Sequence, residues 1–207
     1  MDTPFVPVGY SEVAPGQVAS VVTCLEMLSR PTPGSVGLPP RVTLERMPNP
    51  GLESYRTLYR TVGSDWLWYS RLLMSDEELG AILGDARVEV FVLHEAGRDI
   101  GLLELDFRQR GECELAFLGL VSGATGRGLG RAVMNFAIRH AWSRAIRRFW
   151  VHTCTFDSPA ALAFYIRSGF RPYAFRVEVQ ADPRLTGHLP RGAAPQVPLI
   201  DVPLLPG

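Results

Sequence analysis

Leu118-Gly-Leu-Val-Ser-Gly-Ala-Thr-Gly-Arg-Gly-Leu-Gly130 joins a strand-like run to the strongest helical pattern in the chain. Before it, Glu112–Val121 reads as a strand. After it, Leu129, Ala132, Val133, Phe136, Ala137, His140 and Ala141 recur at i, i+3, i+4 and i+7, which predicts an amphipathic helix over Gly128–Ile146. Glycines at 126, 128 and 130 let the backbone approach a ligand closely and turn its N–H groups outward. The helix N-terminus adds partial positive charge, so strand, glycine turn and helix form an anion cradle, with Arg127 and Arg131 at its rim. A strand-to-helix turn that binds nothing is the competing reading. Two nucleotide motifs fail here. In a GxGxxG frame the sixth position is Arg131 or Val133, and a P-loop would need a lysine after the glycines.

Working outward, Phe149–Phe156 reads as the next strand, so Glu112–Val121, the helix and this strand make one βαβ unit with parallel strands. Ser158 can cap a following helix with Pro159 in its first turn, Gly169 can end it, and Tyr173–Gln180 is a last clear strand. Upstream, Val88–His94, Asp99–Arg108 and Glu112–Val121 are separated by short linkers, Glu95–Arg98 and Gln109–Gly111, and predict an antiparallel meander. Leu52–Leu83 has helical spacing broken at Gly63, and Ser75 with Glu78 has the spacing of a capping box. Residues 18–28 and 41–47 are further strand candidates, divided by a proline-rich loop. The expected architecture is α/β: a central mixed sheet with helices on both faces and an extra N-terminal strand. Residues 1–40 read as an N-terminal extension, 41–180 as the main domain, and 181–207 as a proline-rich tail in which Val197–Ile200 could form a last short strand.

Composition narrows the function classes. Twenty-one basic residues balance twenty-one acidic ones, so no global field draws the chain to nucleic acid or an anionic membrane, and an anion site has to be built locally. Every basic residue is arginine, which excludes Schiff-base lysine chemistry. Cys24, Cys113 and Cys154 are odd in number and widely spaced, as expected of reduced thiols, and no metal site is expected. The N-terminus lacks a basic region followed by an apolar one, and no apolar run approaches the ~20 residues that span a bilayer. The chain therefore reads as soluble and cytoplasmic.

Thr125-Gly-Arg-Gly-Leu-Gly130 resembles the Q/R-x-x-G-x-G/A turn of the GNAT acetyltransferases. Asp157-Ser-Pro-Ala-Ala-Leu-Ala-Phe-Tyr-Ile-Arg-Ser-Gly-Phe170 is similar to the family segment N-x-x-A-x-x-[FL]-Y-x-x-x-G-F. The resemblance covers roughly residues 85–180, with Thr125 replacing Gln or Arg and Asp157 replacing Asn. It implies a GNAT-like fold that transfers an acetyl or other acyl group from acetyl-CoA, with CoA as product, to a primary amine of a small molecule or peptide. By this resemblance the pyrophosphate lies on the amides of Gly126, Arg127, Gly128, Leu129, Gly130 and Arg131. The pantetheine arm then runs beside the backbone of Leu118 and Leu120, with Asp157 near it.

Glu114 stands at a spacing where some members carry a general base, and Tyr165 matches a tyrosine that serves as general acid. The competing readings are a solvated strand carboxylate, with Glu112 in reserve as base, and a core tyrosine. His152 and Cys154 alternate on one strand, either as a buried polar–thiol pair or with His152 assisting the base. Trp66, Trp68 and Tyr69 could wall an acceptor pocket in which Arg71 holds a carboxylate, or they could pack on the sheet as an aromatic helix. Two rivals stand beside the enzyme: a non-catalytic acyl-CoA-binding sensor, and an interaction domain whose strand 18–28 pairs with a partner or a second copy as a homodimer.

Overall fold

The computed structural model describes residues 5–32 and 34–201. Seven strands form one mixed sheet: β1 (Gln17–Met27), β2 (Val42–Arg46), β3 (Val88–Glu95), β4 (Arg98–Asp106), β5 (Glu112–Leu120), β6 (Arg148–Cys154) and β7 (Arg171–Ala181), in spatial order β2-β3-β4-β5-β6-β1-β7. Between β2 and β3 lie α1 (Leu52–Gly63), α2 (Ser70–Leu73) and α3 (Asp76–Leu83). The helix α4 (Leu129–Ala141) links β5 to β6, and α5 (Ala161–Arg167) links β6 to β7. The β3–β4 connection is tight because Ala96 and Gly97 both take positive φ, the twist a two-residue hairpin needs. At α3 the capping box closes in both directions between Ser75 and Glu78.

One face of the sheet packs Leu25, Leu103, Leu115, Phe149 and Val151 against Leu129, Val133 and Ala137 of α4. The other packs Val90, Val92 and Leu102 against Tyr55, Tyr59 and Val62 of α1, Leu79 of α3, and Leu189 and Ala194 of the C-terminal segment.

Four expectations are corrected. The N-terminal strand offers no edge to a partner: β1 lies between β6 and β7 and pairs antiparallel with both. Val197–Ile200 forms no strand; Arg184 takes the carbonyls of Val197 and Pro198 instead. The helix predicted over 128–146 ends at Ala141, and residues 142–145 continue as turns. Ser158 does not cap α5, whose N-cap is Ala160. The reason is Asp157, which binds the Cys154 amide and the Thr153 hydroxyl and holds residues 155–160 in turns before the helix can begin.

Candidate active site

Strands β5 and β6 run parallel for only three residue pairs, Glu112 with Arg148, Cys113 with Phe149 and Glu114 with Trp150, and then part. Across from them, β4 stays paired with β5, with Ala116 the extra residue of a bulge between Leu115 and Phe117. Val121 N donates to Ile100 O, so by antiparallel alternation Gly119 and Phe117 also direct their backbone groups to β4. Leu118 and Leu120 therefore turn theirs into the fork. A cleft of about 610 Å³ fills this fork, lined by Leu118, Leu120, Gly126, Gly128, His152 and Tyr165 among others.

At the mouth of the fork, Gly126 (φ 73°) and Gly128 (φ 79°) take the left-handed conformation that favours glycine, and Gly128 caps α4. A Cβ built on either meets nothing within 4 Å, so the space beside the turn is open. Among the described residues, none of the amides from Gly126 to Arg131 donates to an acceptor of the chain; Ala132 N, bonded to Gly128 O, is the first that does. A row of free amides at a helix N-terminus, beside open space, fits a phosphate group. Thr125 Oγ1 donates to Ser122 O at 2.8 Å and braces the turn rather than reaching outward. Both rim arginines have partners within the chain. Arg127 forks onto Glu95 of the β3–β4 hairpin, and Arg131 packs over the Phe164 ring with its guanidinium near Ser168. Leu129 has only its amide to offer there, because its side chain is buried in the core.

Tyr165 is buried, yet its hydroxyl has no hydrogen-bond partner among the described residues and is not fully enclosed, so it opens on the cleft. Burial, followed by the nearby Asp157 charge, pushes its phenol pKa up, so the hydroxyl is protonated near neutral pH. Both oxygens of Asp157 are engaged: Oδ2 accepts from Thr153 Oγ1 and Cys154 N, and Oδ1 from Trp68 Nε1 at 3.3 Å. Asp157 thus lines the cleft while acting as the brace between β6 and the aromatic wall.

Glu114 sits at the vertex, where the strands are still paired. It faces a smaller hollow with Asp106, Arg108 and Trp150, not the main cleft. Burial first, then the Asp106 charge, pushes its carboxyl up to about 7, with Arg71 opposing. Its Oε1 lies 3.6 Å from Nδ1 of His152, and His152 does line the cleft. Desolvation lowers the His152 pKa although half of the side chain is exposed, which favours the neutral imidazole between Glu114 and the cleft. Glu112 is engaged in an ion pair with Arg148 at 3.1 Å, which removes it as the reserve base.

On the far wall stand Trp66, Trp68 and Tyr69, which belong to no single helix: a 3₁₀ turn at Ser64–Trp66 is followed by Leu67 in the left-handed region. Tyr69 donates to Glu178 of β7 at 2.6 Å. Arg71 does not reach the cleft. It is buried against Glu104 at 2.5 Å, and Tyr55 donates to the other oxygen of the same carboxylate, so its acidic partner is internal. Gly63, read from the sequence only as a helix break, and Gly119 set the position of Trp68. A Cβ on Gly63 would stand 2.4 Å from Trp68 Cβ, and one on Gly119 would stand 2.5 Å from Val62 Cγ1 and 2.8 Å from the Trp68 ring. A glycine inside a strand signals such close approach. Gly119→Ala is expected to cost about 1–3 kcal/mol through overpacking, read by denaturant unfolding; an unchanged midpoint would show that α1 and Trp68 yield freely.

The family model described as Acetyltransferase (GNAT) family matches residues 52–170. No curated protein matches the chain in sequence. Among solved structures, a GCN5-related N-acetyltransferase from Sphaerobacter thermophilus is similar with a TM-score of 0.56 at 13% identity, over 81% of this chain and 52% of its own. A GCN5-related N-acetyltransferase from Kribbella flavida matches with a TM-score of 0.53 at 16% identity, over 83% of this chain and 63% of its own. An aminoglycoside acetyltransferase from an uncultured soil metagenomic sample matches with a TM-score of 0.51 at 16% identity, over 62% and 87%. The chain thus spans between half and two-thirds of the length of the first two.

Proposed function

This chain belongs to the GNAT acetyltransferase family, and from that premise we propose that it transfers an acyl group, acetyl foremost, from acetyl-CoA to a primary amine by direct attack in a ternary complex. The observation that carries this reading is the fork between β5 and β6, open beside a row of unpartnered amides on the glycine turn. The amides of Gly126 to Arg131 would hold the pyrophosphate, and the backbone groups of Leu118 and Leu120 would bond the pantetheine arm. Bound acetyl-CoA supplies a thioester whose carbonyl carbon accepts the amine and whose sulfur departs. Glu114, through His152, takes a proton from the acceptor ammonium, and the free amine attacks the thioester carbon. As the C–S bond breaks, Tyr165 gives its hydroxyl proton to the departing sulfur and is reprotonated by the second proton leaving the nitrogen.

Direct attack is favoured over an acyl-cysteine route by the state of the thiols. Burial pushes both Cys113 and Cys154 above the ordinary thiol pKa, so neither is a ready thiolate. The acceptor enters on the side of Trp66, Trp68, Tyr69 and Glu178, a wall of aromatic rings with one carboxylate that suits a cationic small molecule or peptide amine. A small-molecule acceptor is also in keeping with the aminoglycoside acetyltransferase among its structural neighbours.

Calorimetric titration with acetyl-CoA and CoA tests the reading, with Gly128→Glu as control. The new carboxylate would stand where the cradle is open and at a φ of 79° that side chains rarely adopt. Binding of both ligands, weakened at least tenfold (about 1.4 kcal/mol) in the variant, is the expected result. Absence of binding to the wild-type chain would overturn it. Binding without thiol release from any amine offered would leave an acyl-CoA sensor.

A further inference from the structure

The edge of the sheet beyond β1 is β7, and its outer side is unusually open for a strand of this length. Asp182 N donates to Gly16 O, so by alternation Ala174, Arg176, Glu178 and Gln180 turn their backbone groups to β1. Phe175, Val177 and Val179 direct theirs outward. Near its start β7 has two devices that blunt an edge, Pro172 and a bulge at Tyr173, and one face carries the charges of Arg176 and Glu178, but no proline or bulge interrupts the strand between Ala174 and Ala181. The same three residues expose apolar side chains, at 74%, 49% and 48%, on the face of the sheet that carries α4 and α5; Val21 of β1 continues the stripe. On the opposite face Arg176 is exposed and has no ion-pair partner among the described residues, while Glu178 stands two positions along.

We propose that the chain forms a symmetric dimer by antiparallel pairing of β7 with β7 of a second copy, centred on Val177. In that register Val177 meets its own equivalent and Phe175 lies opposite Val179 of the partner subunit, so each outward N–H between 175 and 179 finds a carbonyl. On the other face Arg176 lies opposite Glu178 of the partner subunit, and the reverse pair follows by symmetry. The charge order selects this centre. A two-fold axis on Arg176 would set two arginines face to face, and one on Glu178 two glutamates. Moving the axis to Phe175 or Val179 would leave the Arg–Glu pair unmade. Because Glu178 lines the cleft and accepts from Tyr69, Arg176 of the partner subunit would stand at the rim of the acceptor cleft, which would then be completed by two chains.

Light scattering on the full chain, across a dilution series into the low micromolar range, reads the stoichiometry. A species of twice the chain mass is expected. Arg176→Glu is expected to weaken association at least tenfold, and adding Glu178→Arg to it is expected to restore association by re-forming the pair in the opposite sense. Both positions are exposed, and circular dichroism checks that each variant is folded. A wild-type monomer throughout would overturn the proposal. So would a dimer indifferent to Arg176→Glu, or one that the double reversal fails to recover, since either would place the interface elsewhere or in another register.

Discussion

Replacing Glu114 by glutamine is expected to lower kcat by roughly 10²–10⁴-fold while leaving acetyl-CoA affinity unchanged. The carboxylate stands at the closed end of the fork, away from the glycine turn, so nothing in the phosphate cradle depends on it. Its pKa is set by long-range company. Burial raises it, Asp106 and Glu104 raise it further, and Arg71 and Arg108 hold it down, with a balance at about 7. A base must be deprotonated to accept a proton, so the wild-type rate should climb about tenfold per pH unit below 7 and level off above it. The glutamine variant should lose that limb.

A stability measurement separates this from damage to the fold. A carboxyl that titrates near 7 when folded and near 4.3 when unfolded binds more protons in the folded state between those values. Its ionisation therefore weakens the fold as pH rises through that window, and the weakening is complete above 7. The variant should consequently melt higher than the wild type at pH 8 and draw level with it below about pH 4. A variant with full activity, or with an unchanged pH profile, would dismiss Glu114 as the base and leave His152 alone at the cleft wall.

What the sequence disclosed was mostly what is local in it. The glycine turn, the amphipathic stripe of α4, the β3–β4–β5 meander and the Ser75 capping box each depend on residues within a few positions of one another, and each stands in the structure. The site's electrostatics do not work that way. Arg71 reads as a free guanidinium in an aromatic segment until Glu104, thirty-three residues on, is folded against it. Glu112 and Glu114 are indistinguishable as strand glutamates; Arg148, which meets the first and leaves the second to be buried near Asp106, comes from across the βαβ unit. The place of β1 was hidden for the same reason. Its β-branched run predicts a strand, but no local signal says that it inserts between β6 and β7, which come more than a hundred residues later. Gly119 is the exception, a distant contact with a local signal: a glycine inside a strand marks the spot where Val62 and Trp68 close in.

The C-terminal segment hangs on one side chain, and Arg184→Met is expected to destabilise the protein by about 3–5 kcal/mol, measured by denaturant unfolding. Arg184 and Asp182 leave only 2% of each side chain exposed, paired at 2.7 Å, and the guanidinium also donates to the carbonyls of Ala193, Ala194, Val197 and Pro198. Methionine keeps the apolar stem but leaves a buried carboxylate and four carbonyls without their donor, and the penalty is mostly that of the stranded charge. Burial alone would raise the Asp182 pKa, but the Arg184 hydrogen bonds outweigh it and hold the pKa below the ordinary aspartate value. The pair's contribution is therefore complete above pH ~4, where an unfolded aspartate is ionised, and fades as acid protonates the folded carboxyl below that. In the variant the carboxyl loses that protection, so the gap between the two proteins should be widest near neutrality and narrow below pH 4. Function should follow, because Gln196 of the same segment donates to Asp65 O at 2.6 Å, within the 3₁₀ turn that carries Trp66. Loosening the segment releases the acceptor wall while the glycine turn, on the other side of the fork, stays braced by its own bonds. At temperatures where the variant remains folded, KM for the amine should rise while the dissociation constant for acetyl-CoA holds; a matched loss of both would mean that the segment supports the whole sheet rather than the wall.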